Sequence, residues 1–224
     1  MARRPIDSSR RRAHSFAFQR WVLDHGLSLS FASLFAVCLV GQSISGHLSY
    51  NSALAMHGLP PVSYAGYLAT GNFLDGAFAN WQAALLQLAC LVVFAAKFRE
   101  RGAAHALSPR TRGRLRSEAR SRPWIYRHSL SLAFGALFLL SFLAHLFFGA
   151  MDYNARLEMI RRSPISTADY GLSSAFWFAN TQTWEAEFAA LAFYIILSIF
   201  LRQQGSPESK PVGSSNRVTG KTNR

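Results

Sequence analysis

Acidic side chains are scarce in this chain: 11 Asp and Glu stand against 24 Lys and Arg, for a formal net charge of +13. Cysteine is scarcer still, at two residues, which excludes a disulfide framework. Catalytic signatures are missing as well. There is no His-Glu-x-x-His, no phosphate-binding loop, and no Gly-x-Ser-x-Gly, since the run from Gly41 to Ser45 fails at its last position. The expectation is a chain that is not an enzyme, with no catalytic residues, no metal and no cofactor. What is abundant is apolar: 50% of the residues are hydrophobic and 18 are Phe, beside a pI near 10.8. Charge and apolarity must occupy different stretches, the pattern of a membrane protein with basic flanks rather than of a nucleic-acid binder.

Four stretches are poor enough in charge to cross a bilayer, at about 27–48, 78–98, 130–150 and 184–201. The first and third contain no charged residue and reach the roughly 20 residues that the hydrocarbon core requires. The fourth would be marginal alone, and an internal repeat supports it. Residues 25–35 read HGLSLSFASLF and residues 128–138 read HSLSLAFGALF, an ungapped offset of 103. From 21 to 102 that offset gives 24 identities in 82 aligned pairs, including Trp21 on Trp124, Gly46 on Gly149, Asn51 on Asn154, Tyr67 on Tyr170 and Trp81 on Trp184. The predicted fold is an all-α integral membrane four-helix bundle made of two parallel helix–loop–helix repeats. The boundaries read as a basic cytoplasmic segment over 1–20, repeat 1 over 21–102, a basic linker over 103–123, repeat 2 over 124–205 and a flexible tail over 206–224.

Basic residues orient the bundle. Residues 1–24 hold six Arg, 97–127 hold ten Lys or Arg and 202–224 hold five, against three (Arg156, Arg161, Arg162) in the remaining loops. Both termini and the linker are therefore expected in the cytoplasm, where the basic runs also meet anionic headgroups. The first span, repeated in mid-chain, is expected to be retained rather than cleaved as a signal peptide. Trp21 and Trp124 would anchor the inner interface, and Trp81 and Trp184 the outer one. Gly58 should end the first helix at HGLPP, and a capping box from Ser166 to Asp169 should begin a short interfacial helix on the outer face, with Ser63 placed to cap its counterpart.

Ionisable groups inside spans are expensive and become functional candidates for that reason. The candidate intramembrane polar site comprises Glu187, Glu185 and His145, with Gln42 and Gln82 as first-repeat counterparts. His145 and Glu187 are expected at similar depth, within reach of one another. The bland alternative has the carboxylates snorkelling to headgroups and His145 bonded to a neighbouring helix. Haem is disfavoured because His25 and His128 lie at the inner rim and His47 and His145 differ in depth. Cys38 and Cys90 read as buried thiols.

The run Gly41-Gln42-x-x-x-Gly46-His47-x-x-Tyr50-Asn51, then Pro-x-Ser, Trp184-x-x-Glu187 and LRQQGSPESKPVG at 201–213, resembles a family of small bacterial four-helix membrane proteins catalogued only as a domain of unknown function. The chain departs from it at Ala84 and in the linker RERGAAHALSP, which lacks a first copy of GSPESK. The resemblance implies an inner-membrane location and supplies no catalytic residue. The expected role is a non-enzymatic scaffold or accessory subunit, alone as a homo-oligomer or with a membrane-protein partner, and without nucleic acid. The alternative is a small transporter or channel with a proton-linked polar path near His145 and Glu187. Topology has a direct test: a membrane-impermeant maleimide applied to intact cells should label the Ser63→Cys variant, and labelling only after permeabilisation would invert the orientation.

Overall fold

Little of the apolar surface of this chain is buried against the chain itself. In the computed structural model, which describes residues 18–220, Leu34, Val37, Leu140 and Phe193 are among many large apolar side chains that point outward. They stand on four helices long and apolar enough to cross a membrane: α1 (Gly26–Met56), α3 (Gly71–Lys97), α6 (Ser129–Met159) and α8 (Ser174–Phe200). The protein is an all-α, multi-pass membrane protein. Such spans are helical because a helix alone satisfies all its backbone groups without water. The remaining elements are short: α2 (Tyr64–Leu68), α4 (Pro109–Glu118) with a 3-10 turn after it (Ala119–Ser121), α5 (Trp124–Arg127) and α7 (Thr167–Leu172). Of the expected basic segment 1–20, residues 1–17 lie outside the described residues.

The long helices of 129–200 begin and end 103 positions after those of 26–97, and the shared residues explain why. Asn51 brackets the backbone of Val62, accepting from its N–H at 2.8 Å and donating to its carbonyl at 3.0 Å. Asn154 does the same to Ile165, with both bonds at 2.9 Å. Each pair ties the extended stretch after a long helix back to that helix. Gly46 and Gly149 leave room for the rings of Tyr67 and Tyr170, which lie where a Cβ would be. Thr70 and Ser173 then cap α3 and α8 by accepting from the N–H of Phe73 and Phe176. Because these caps are used, α3 and α8 start at Gly71 and Ser174, well before the expected 78 and 184. The capping box at Ser166 forms, with its hydroxyl accepting from Asp169 N–H and donating to the Asp169 carboxylate.

The chain divides into two units, Met1–Leu68 and Ala69–Arg224, each described by itself. In the first, α1 carries α2, through Tyr64 bonded to Ser43 and through Val62 held by His47 as well as Asn51. In the second, α3 packs antiparallel to α6 and parallel to α8. At Gly71 the contact is backbone to backbone: a Cβ there would lie 2.8 Å from the Phe148 carbonyl. Thus α3, counted by sequence with the first repeat, has its packing partners in the second.

The tail expected to be flexible is instead folded through Gly220. Lys210, only 1% exposed, donates its ammonium to the carbonyls of Gly102 at 2.6 Å and of Asn216 and Val218 at 3.2 Å each. Burial, with a smaller contribution from the nearby Arg202 charge, lowers its pKa below the usual lysine value. Around it Thr219 accepts from Gly102 N–H, Gly220 N–H bonds Ala103, and Arg202 bonds Ser214 and Asn216. Ala103 and Ala104 are wholly covered. Arg112 on α4 reaches back to cap α3, donating to the carbonyls of Ala95, Lys97 and Phe98. The GSPESK motif is therefore a structural clip. Glu208 accepts from the Tyr194 hydroxyl, Ser209 accepts from Gln203 N–H, and Lys210 closes the loop.

One position shows the repeat under strain. Gly58 ends α1 with φ +69°, a left-handed conformation that glycine adopts freely, and its counterpart at the end of α6 is Arg161, with φ +58°. A left-handed residue with a Cβ costs about 1–2 kcal/mol. Arg161→Gly should therefore raise stability by about 1 kcal/mol, read as a higher midpoint of thermal unfolding in detergent; an unchanged or lower midpoint would contradict this account.

Candidate functional site

The most enclosed ionisable group of the second unit is His145, on the face of α6 that meets α3. Its ring is fully buried, stacked on Phe176 at 5.2 Å, and its Nδ1 lies 2.7 Å from Asp75 Oδ1. With Asp75 ionised, the proton sits on Nδ1, because a carboxylate can only accept. Nε2 is buried and has no hydrogen-bond partner among the described residues. Asp75 is not sealed in: its side chain keeps 23% of its exposure. The pair thus joins a fully buried imidazole to a carboxylate that is only partly covered.

Gly149 stands one helical turn from His145 and holds the cluster together by having no side chain. A Cβ there would lie 2.7 Å from Asp75 Oδ1 and 2.8 Å from the Tyr170 hydroxyl. Tyr170, delivered by α7, packs its ring against Phe176 and Tyr153. Asp152 closes the group with one oxygen 2.6 Å from exposed Arg156 and the other buried without a partner among the described residues. Burial first, then the Asp75 and Asp152 carboxylates, push the Tyr170 phenol up to about 12.

Between α3 and α8 lies a second, neutral polar group. Gln82 and Asn180 are fully buried; the Gln82 amide donates to Asn180 Oδ1 at 3.0 Å and accepts from the Trp184 indole N–H at 2.9 Å. Asn180 in turn donates to the Phe176 carbonyl at 2.8 Å. Lower down, Gln87 donates to the Glu187 backbone carbonyl at 2.8 Å. These bonds hold two helices together where water is not available to compete.

Of the residues singled out by sequence, His145 and Gln82 thus anchor two buried polar groups. The carboxylate that meets His145 is Asp75 and not Glu187, because α3 begins early enough to carry Asp75 into the bundle. Glu187 is half-buried and Glu185 exposed, and neither belongs to the His145 cluster. Gln42, aligned with His145, is half-buried on α1 in the first unit. Trp21, Trp81 and Trp124 are exposed, with Trp21 stacked on His25 and Trp124 packed at a tilt against His128. Trp184, expected as an anchor too, turns its indole N–H inward onto Gln82. Among the described residues no group of three or more His, Cys, Asp or Glu could hold a metal ion.

Residues 18–221 match the model of a family described as a domain of unknown function, DUF6766. The chain belongs to this family. No curated protein and no solved structure matches it. For this DUF6766 chain the sequence reading missed Asp75, Asp152, Asn180 and the part played by Tyr170. Thr70, a favourable cap, was the available signal: a helix starting after it makes Asp75 a charged residue in an apolar span, a functional candidate at once. The Tyr170 assignment has a spectroscopic check. A phenol held neutral in the fold contributes stability that is complete below its unfolded value near 10 and is lost as pH rises through about 12. The difference in phenolate absorbance between the wild type and Tyr170→Phe should appear near pH 12; a difference centred near 10 would place Tyr170 in solvent.

Proposed function

We propose that this protein is a non-enzymatic scaffold or accessory subunit of the bacterial inner membrane, with both termini and the basic linker in the cytoplasm. The observation that carries this reading is the clip at Lys210. Burying an ammonium costs several kcal/mol unless bonds replace its water, and here three carbonyls do so to hold 99–106 and 202–220 as one shaped surface beyond the ends of α3 and α8. A surface held this firmly outside the membrane suits the recognition of another protein. The glutamines inside the spans fit the same role, since their bonds join helix to helix.

Extraction of the protein from its own membranes in mild detergent, followed by intact mass spectrometry, is expected to recover a stoichiometric protein partner. The Lys210→Met variant should lose that partner while remaining inserted. Recovery of the wild type alone would overturn the accessory role.

A second reading is favoured by the partnerless Nε2 of His145 and the exposure of Asp75: a small transporter or channel with a proton-linked polar path near His145 and Glu187. On that reading the acid beside the imidazole is Asp75, and pH-dependent flux into proteoliposomes is abolished by Asp75→Asn or His145→Gln. Flux indifferent to both substitutions would remove the pair from any transport mechanism.

A further inference from the structure

Near the ends of α3 and α8 from which the clip begins, two hollows meet at one arginine. The first, about 300 Å³, is an apolar slot between the helices, walled by Leu91, Phe94 and Phe98 on one side and Phe188, Leu191 and Ile195 on the other. Arg99, Glu100 and His105 stand at its rim. The second, about 290 Å³, is bounded by Arg99, Arg112 and Arg116 together with Leu107 on the approach to α4. Arg99 belongs to both. We propose that the slot and the arginine-lined hollow form one binding site for a single anionic glycerophospholipid, with an acyl chain between α3 and α8 and the phosphate among Arg99, Arg112 and Arg116.

Three observations fix the class of ligand. The slot lies between two membrane-crossing helices, and its wall residues Phe94 and Phe188 are themselves exposed, so it opens toward lipid. Its walls offer an acyl chain apolar contact, and its volume is at the lower end of those that hold small molecules. The charge beside it is of one predominant sign: three guanidinium groups against the single carboxylate of Glu100. Arginine is the side chain best shaped for phosphate, and basic pockets between spans are where anionic headgroups lodge. Arg112 already caps α3 through its N–H groups, so it supplies fixed positive charge, while Arg99 and Arg116 are exposed and able to turn toward the headgroup. A soluble phosphate would use the arginines and leave the slot idle; a neutral lipid would use the slot and leave the arginines idle. Neither accounts for the junction at Arg99. The inference is independent of the accessory role and of which side of the membrane the basic end faces.

The test uses the full chain, delipidated in detergent and supplied with equal amounts of phosphatidylglycerol and phosphatidylcholine of the same chain length, with retained lipid counted by native mass spectrometry. The wild type should retain one phosphatidylglycerol in preference to phosphatidylcholine. The double variant Arg99→Gln, Arg116→Gln should lose that preference by about 25-fold, since each basic residue near a headgroup contributes roughly fivefold. Ala192→Phe, which fills the slot, should abolish retention of either lipid with the arginines intact; if it does not run as a single species on gel filtration, Ala95→Leu on the facing wall replaces it. Cys90, which lines the slot, gives an independent readout in a Cys38→Ser background. Its alkylation by an apolar maleimide should slow when phosphatidylglycerol is added and stay unchanged with glycerol 3-phosphate. Equal retention of the two lipids, a preference that survives loss of the arginines, or protection of Cys90 by glycerol 3-phosphate would each overturn the proposal.

Discussion

A polar group inside a bilayer has no water to fall back on, and most of what is particular to this protein follows from that constraint. It makes the four long segments helical, and it requires every polar side chain carried into them to bring its own partner. Gln82, Asn180 and Trp184 solve the problem among themselves, as do Asp75 and the Nδ1 edge of His145. Among the described residues of the spans, two fully buried atoms have no partner, His145 Nε2 and Asp152 Oδ1, and both lie on α6 within the same cluster. Unsatisfied buried atoms are uncommon enough in folded proteins that two on one helix mark the region as the chemically unfinished part of the bundle.

The repeats share the devices that shape the backbone and differ in the groups that could carry chemistry. Asn51 and Asn154, Gly46 and Gly149, Tyr67 and Tyr170, Thr70 and Ser173 do the same mechanical work in each half. At the positions corresponding to Asp75 and His145 the other half has Phe178 and Gln42, so the ionisable pair has no second copy. The two halves share a frame, and the frame tolerates different contents because its turns and caps do not depend on what the spans enclose.

Span number, class and the stop at Gly58 were legible in the sequence because they depend on local composition and on a residue with unusual backbone freedom. The Ser166 capping box was legible for the same reason. The starts of α3 and α8 were not: Thr70 and Ser173 are good caps, but the residues after them are mixed in polarity, and hydropathy alone puts the helix later. Asp75 was overlooked in consequence. Lys210 was hidden for a different reason. A lysine between serine and proline reads as a solvated tail, and only its three carbonyl partners, one of them at Gly102, reveal that it is buried. No local pattern announces a contact across so long a stretch of chain.

That contact has a consequence for the order in which the molecule is completed. Synthesis runs from the N-terminus, so Ala103 and Ala104 emerge long before the residues that cover them. The carbonyl of Gly102 must wait for Lys210, and Lys210 in turn for Asn216 and Val218. Until α8 is seated and residues 210–218 are free of the ribosome, this stretch remains uncovered and open to chaperone or protease. Closure of the clip thus comes after the insertion of α8, and its contacts distinguish a molecule with α8 in place from one still being inserted.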